Sequence, residues 1–381
     1  MALNQVGLER LNTATTKKIG TNKNLIINGA MEVAQRGTSS SSVNGIGCVD
    51  RFHNIRAGQD EEPTQAQHAL TSSDTGPYAE GFRFSFHVTN GNQSSGAGAS
   101  DYNSMRYNVE AQDLATSGWD YTSASSFITL SFWAKSSVAQ NFYGYIKTND
   151  GTAQNYPFET GSLTANTWTK ITKTIPGNSN LQIDNDNGLG LQIYIGQFWG
   201  TTFTTSGVTL NQWAAYAGGS RMPDNTSTWW TTNDATFEIT GVQLEVGSVA
   251  TAFEHRSFGE ELALCQRYLQ TIIHTGSYQA IAIGHSEGNN TAEVIIPFKV
   301  QMRATPTFTF GGTLSGALNI YERGGVIPGV SAIDIVNSGN EAAKMQITVD
   351  ATSLIAGNAN LLYFYDSPST PAERLIFSAE L

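Results

Sequence analysis

The stretch FEITGVQLEVGSVATAFEHRSFGEELALCQRYLQ, residues 237–270, limits the fold more than any other part of the chain. Phe237 and Ile239 alternate in one phase, and Val242, Leu244 and Val246 in the other. A strand has period two, so the slip at Gly241 predicts a β-bulge there. Ser257 and Glu260 then fall in the S-x-x-E spacing of a capping box, which opens a helix by satisfying its first backbone N–H groups. Leu262, Cys265 and Leu269 follow on one stripe and predict an amphipathic helix over 257–273. A β-domain therefore ends near residue 250, a helix follows, and a different β-domain comes after it.

Alternation elsewhere supports this division. Phe82, Phe84, Phe86 and Val88 alternate with Arg83, Ser85, His87 and Thr89, the pattern of a half-buried strand. SFITLSFWAK (126–135) is apolar on both faces, as in a central strand, and GLGLQIYIG (188–196) alternates through Leu189, Leu191, Ile193 and Ile195. Turn signals TNDG (148–151) and PGNSN (176–180) separate these runs, which argues for a sandwich or jelly roll. NLIINGAMEVAQRG (24–37) reads as its opening strand. Beyond the helix, Ala292, Val294, Ile296 and Phe298 alternate after a GNN turn (288–290), and strand-like runs continue to Leu381.

Composition excludes several functions. The 381 residues suffice for two or three domains, and only 14% are charged, against about 25% in ordinary globular chains. With 38 glycines and polar runs between apolar ones, many short strands joined by turns are expected. A net charge of -11 offers no cationic surplus for a nucleic-acid backbone. No secretory signal is visible and no run reaches the roughly 20 apolar residues of a membrane helix. We therefore expect synthesis in the cytosol, no membrane insertion, and exposure only on a released particle. Cys48 and Cys265 lack metal-ligand spacing, and Cys265 on the apolar stripe reads as a buried free thiol.

The wording of residues 237–270, with GVQLE-G followed by FEHRS-GEEL-LCQRY, resembles a segment of bacteriophage tail-fibre and receptor-binding proteins. NLIINGAMEVAQRG followed by CVDRF (48–52) resembles the start of phage fibre modules, which are themselves similar to family 4/9-type carbohydrate-binding jelly rolls. ITLSFWAKSS (128–137) and LTANTWTKIT (163–172) resemble the paired inner strands of those modules. QMRATPTFTF (301–310) and SAEL (378–381) resemble the small C-terminal β-domain of phage fibres.

Read along its length, the chain is all-β in four parts, and the resemblance covers all but the N-terminal 20 residues. Residues 1–24 are a polar segment, either a disordered terminus or an attachment segment that orders only against another virion tail, neck or capsid protein. Residues 25–250 form a jelly-roll β-sandwich, 251–274 a connector and helix, and 275–381 a C-terminal β-domain. The implied protein is a non-enzymatic virion fibre or spike subunit that contacts host-surface glycans. It is expected to be a homotrimer, with Leu262, Cys265, Leu269 and Ile272 meeting at the axis. A non-binding structural adaptor or head/neck decoration protein is one alternative, and a glycan-depolymerising tailspike another.

Residue chemistry points the same way. No HExxH, GxSxG or Cys–His cluster appears, and GNQSSGAGAS (91–100) lacks the βαβ setting of a phosphate loop. Glycan hydrolysis needs two carboxylates flanking the sugar bond. The runs Asp60, Glu61, Glu62 and Asp184, Asp186 sit in turn-like polar surroundings and read as solvated loops. His255 reads as a hydrogen-bonding residue of the connector rather than a base. Sugar binding uses Trp or Tyr faces for the ring and amide or carboxylate side chains for the hydroxyls. All seven Trp lie between 119 and 230. Trp133 and Trp168 fall in strand motifs and read as core. Trp119 and Tyr121, with Trp213, Tyr216, Trp229 and Trp230, lie among Gly, Asn, Ser and Thr without alternation. They are the glycan-contact residues expected here, or else they plug the sandwich or face a neighbouring subunit. For calcium, Asn28 and Glu32 match the opening motif of the resembled modules, but ITGVQL lacks acidic ligands, so no cofactor is expected.

Overall fold

The structure is a computed structural model that describes residues 23–41, 43–322, 325–365 and 373–381. The attachment segment expected at 1–24 lies almost wholly outside the described residues. The chain divides into two compact units, one containing 23–31 and Asn54–Arg256, the other Glu32–His53 and Ser257–Leu381. Among the described residues no helix is long and apolar enough to cross a membrane.

The first unit is a jelly-roll sandwich of antiparallel sheets. One sheet contains, as hydrogen-bonded neighbours, Thr64–Ala69, Phe84–Thr89, Thr236–Val246, Phe127–Ser136 and Thr169–Pro176. The other runs Ala214–Ala215, Gln154–Ser162, Asn141–Thr148, Leu189–Trp199, Tyr102–Glu110 and Phe52–Ala57. Alternating side chains supply the interior: Phe86, Val88, Leu130, Phe132 and Ile239 from the first sheet, and Met105, Ile146, Phe158 and Ile193 from the second, are all buried. Each such side chain contributes about 1.5–3 kcal/mol by leaving water.

The bulge falls at the expected place. Pairing with Phe127–Ser136 shifts between Thr240 and Gln243, which returns Val242 and Leu244 to the interior. Gly241 has φ 62, and a Cβ there would lie 2.6 Å from the Phe82 ring, so both conformation and space require glycine.

Residues 24–37 form no strand, contrary to the expectation, and turn at 27–30 and 35–36. The Asn24 side chain takes the place of a ladder, accepting from the N–H groups of Ile26 and Leu244 and donating to the Val242 carbonyl. Asn28 and Met31 both have φ 61, and the Met31 N–H closes the turn on the Asn28 carbonyl at 2.9 Å. An Asn-Gly pair favours such left-handed turns.

In the second unit the capping box is complete, with Ser257 and Glu260 exchanging side-chain and backbone bonds. The helix spans Phe258–Gln266 and stops short of the expected 273. Leu269–Ile273 is instead a strand paired with Arg374–Ser378; its β-branched Thr271, Ile272 and Ile273 favour the extended backbone. This overturns the single helical stripe expected at a trimer axis. Leu262 and Cys265 are helical, Leu269 and Ile272 are not, and Cys265 and Leu269 are fully buried in the single chain.

Arg374–Ser378 is the middle strand of a three-stranded sheet completed by Thr307–Gly311. Six further strands close a barrel in the order Gln279–Ser286, Thr291–Pro297, Ala342–Val349, Gly325–Ser338, Leu318–Glu322, Ala359–Phe364. Ala292, Val294 and Ile296 point into it as their alternation predicts, whereas Ile283 and Ile295 stay 76% and 61% exposed. The segment Glu32–His53 brings Arg51 into this unit, its guanidinium 3.5 Å from the Tyr268 ring centre and paired with Glu380. Cys48 and Cys265 are buried thiols outside any disulfide among the described residues, and desolvation raises the pKa of both, Cys48 to about 12.

Candidate functional site

The second sheet of the sandwich carries an unusual aromatic outer face. Ile193 faces Tyr107 and Ile146 toward the interior, so its neighbours in the strand Leu189–Trp199 point outward. Tyr194 lies opposite Arg106 on one side and Tyr145 on the other, and Gln192 opposite Asn108 and Lys147. Tyr145 and Tyr194 stack with centroids 4.2 Å apart, and Tyr102 stacks on Trp199 at 4.5 Å. Gly196 makes room for this packing, because a Cβ there would sit 2.6 Å from the Trp199 indole.

Residues 200–225 fold back over this face. Main-chain bonds from Arg221 to Phe203 and from Tyr216 to Ala153 pin the segment, and the Asn155 amide donates to the Arg221 carbonyl at 2.8 Å. Buried Met222 and half-buried Phe203 and Tyr216 complete the aromatic cluster. Two cations enter it. The Arg221 guanidinium lies 4.8 Å from the Trp199 ring, 4.6 Å from Phe203 and 5.8 Å from Tyr216, and the Lys147 ammonium lies 4.8 Å over Tyr216. Burial lowers the Lys147 pKa, and the charges of Arg221 and Arg106 lower it further.

Beside this cluster, between the strand Gln154–Ser162 and the segment 205–220, is a cavity of about 370 Å³. That is a size typical of small-ligand sites. Trp213 forms one wall, and Asn155, Thr209, Gln212 and Ser220 supply amides and hydroxyls. Trp213 is held from behind, its indole N–H donating to the Pro176 carbonyl at 2.7 Å and its ring 5.2 Å from Tyr156. Among the described residues Asn155 Oδ1 has no hydrogen-bond partner and is buried, as is the Trp199 indole N–H, which lies outside the cavity lining. Orphaned polar groups of this kind cost free energy unless a ligand or water meets them. The combination can seat a ring with one apolar face and a periphery of hydroxyls.

The aromatics expected to contact glycan thus part company. Trp213 and Tyr216 are half-buried at the cavity and the cluster beside it. Trp119, Trp229 and Trp230 have 3%, 0% and 0% of their surface exposed and can present no face to a ligand; they plug the sandwich. Tyr121 packs edge-on against Trp119 and donates to the Ile183 carbonyl, away from the cavity. Trp168 is buried in a small hydrophobic cluster with Ala30, Leu70 and Phe82, Trp133 packs against it, and their indoles donate to Asp74 and Glu80. Sequence reasoning passed over Tyr145, Tyr194, Lys147 and Arg221. The signal for Tyr194 was the polar phase of GLGLQIYIG, which places it with Gln192.

The acidic runs hold turns. Asp60 accepts from the Ser95 N–H, its hydroxyl and that of Ser94, and these bonds lower its pKa. Glu61 accepts from the Asn92 N–H, Glu62 pairs with Arg56, and Asp186 accepts from the Gly188 N–H. His255 binds the Glu80 carbonyl at 2.8 Å. Of the calcium pair, Asn28 is buried in its turn and Glu32 belongs to the segment Glu32–His53.

One trio among the described residues has metal-ligand proximity, His68, His87 and Glu238. Here Glu238 is already engaged, 3.0 Å from His68 Nδ1, 2.6 Å from the Ser85 hydroxyl and 2.9 Å from the Lys135 ammonium. Burial alone would raise the Glu238 pKa, but the bonds from His68, His87 and Ser85 outweigh it and hold the carboxyl far below 4.5. The His68 pKa is raised above 6.5, chiefly by its bond to Glu238. A lowered carboxylate adds stability that is present above its unfolded pKa and lost as pH falls. A raised imidazole adds stability that is present below its unfolded pKa and lost as pH rises. The stability added by this network should therefore peak between about 4.5 and 6.5. Urea unfolding of Glu238→Gln against the parent across pH 3–9 checks this; a difference independent of pH would contradict it.

No protein-family model and no curated protein matches the chain. Solved structures similar to part of it include the enzymatically active domain of tailspike protein 4 from bacteriophage CBA120, at 10% identity and TM-score 0.30, over 59% of this chain and 22% of that one. A family 4 carbohydrate-binding module is 13% identical with TM-score 0.31, over 58% of this chain and 98% of that one. The N-terminal cellulose-binding domain of Cellulomonas fimi β-1,4-glucanase C is 11% identical with TM-score 0.26, over 57% and 99%.

Proposed function

We propose that this chain is a glycan-binding subunit of a virion fibre or spike, and that the sugar sits in the cavity walled by Trp213. The carrying observation is the cavity itself: one indole fixed from behind, beside amide and hydroxyl groups and an orphaned Asn155 oxygen. A pyranose ring has the same division between an apolar face and polar edges, and indole–sugar stacking needs a ring that does not move. The virion setting rests on the resemblance of residues 24–37, 48–52 and 237–270 to phage fibre proteins. In that setting the protein attaches to the host surface without hydrolysing it.

A glycan array probed with the purified chain tests the binding, and labelling of host cells with competition against infection tests the role. Silence on the array and on cells, with copurification of a tail or neck protein, would leave a structural adaptor instead. We also retain a homotrimer in the proposal, with its contact moved from the helix to the outward apolar face of the barrel around Ile283 and Ile295. Light scattering should give three times the 41.0 kDa chain mass; a monomer at micromolar concentration would remove the trimer.

A further inference from the structure

We propose that the saccharide recognised here is acidic, its anionic group meeting Lys147 and Arg221; this deepens the glycan reading and rests on it. Several cations elsewhere in the chain meet carboxylates. Lys135 meets Asp74 and Glu238, Lys170 meets Glu80, Lys344 meets Glu293, and Arg36 and Arg51 both meet Glu380. With 32 acidic residues against 21 basic ones, carboxylates are plentiful.

Lys147 and Arg221 differ from these, and they lie together. The Lys147 ammonium donates to the neutral amide of Asn149 at 3.1 Å, and Arg221 Nε to the Gly218 carbonyl at 3.1 Å. Neither forms an ion pair with a carboxylate among the described residues. Both instead lie over Tyr216, where each raises the positive potential felt by the other. Half-buried like charges held together repel unless an anion arrives from outside. The position is adjacent to the cavity: Lys147 lies opposite Asn155 in the strand register, and the Asn155 amide holds the Arg221 carbonyl. A sugar stacked at Trp213 with a carboxylate, sulfate ester or phosphate at its edge would place the anion near this pair. Desolvated by the surrounding rings, such contacts are stronger than surface ion pairs.

The test uses the full chain and oligosaccharides of matched length: neutral galactan and β-glucan, uronate-bearing oligogalacturonate, and sulfated chondroitin fragments. Calorimetric titration at 50 and 300 mM NaCl should show at least one acidic series bound about tenfold more tightly than the neutral ones, with the preference falling at high salt. The uronate and sulfate arms identify which anion is taken. Lys147→Gln should reduce the acidic-to-neutral ratio several-fold. Arg221→Lys, which keeps charge at the site if Arg221→Gln does not fold, should retain the preference. Neutral and acidic oligomers bound alike, or a ratio unmoved by Lys147→Gln, would overturn this inference and leave the glycan reading standing. Binding of no oligosaccharide by a chain folded by circular dichroism overturns the glycan reading, and this inference with it.

Discussion

Trp229→Ala is expected to lower the melting temperature of the sandwich by between about 6 and 20 °C. Trp229 has no exposed surface, and its indole N–H donates to the Thr236 carbonyl at 3.1 Å. Its backbone N–H is taken by the Gln140 side chain at 3.0 Å, and Asn90 reaches the carbonyls of Trp229 and Trp230. The short helix Thr228–Thr231 thus presses two indoles into the body of the unit. Truncating a buried Trp to Ala costs about 3–5 kcal/mol, because the lost transfer energy is joined by the cavity left behind. In a domain of this size each kcal/mol moves the midpoint by about 2–4 °C. Calorimetry, which can separate the transitions of the two units, checks the value. A shift below about 2 °C would mean that the indole does not support the sandwich.

Trp213→Ala should have the opposite profile. Its ring is half-buried, so truncation forfeits one neutral hydrogen bond to Pro176, about 1 kcal/mol, and part of the contact with Tyr156. The wall of the cavity, however, disappears. A large aromatic face covered by ligand is worth about 1.5–3 kcal/mol, which is about 10- to 100-fold in affinity. Glycan binding should fall by that factor while the melting temperature moves less than a third as far as in Trp229→Ala. If Trp213→Ala binds glycan like the parent, the cavity is not the site. Three tryptophans that looked alike in one polar stretch are thereby assigned different work.

That stretch also shows where sequence stops being informative. The bulge at Gly241, the capping box at Ser257 and the alternation of Ala292, Val294 and Ile296 are local patterns, read within a few residues. The fates of Trp213, Trp229 and Trp230 are not local. Trp230 is fixed by the carbonyl of Gly96 and Trp213 by that of Pro176, partners that no periodicity between 211 and 230 reveals. The helix end was misplaced for a related reason. Leu269 continues the helical spacing, but pairing with Ser378 takes it into a sheet. The cations of the site were harder still. Lys147 and Arg221 are far apart in sequence, and only the antiparallel register and the returning segment set both against Tyr216.

The route of the chain between its two compact units bears on how such a protein can be rebuilt. The polypeptide leaves the first unit after Met31, contributes Glu32–His53 to the second, and goes back before finishing there. The second unit is therefore not a cassette that a single recombination point near residue 257 could exchange. A transplanted 257–381 would arrive without Arg51, leaving Tyr268 uncovered and Glu380 without two of its cations. Swapping tips between chains of this kind would require two grafts made together, the early segment and the late one, and co-inheritance of the pair would be the mark of a successful exchange.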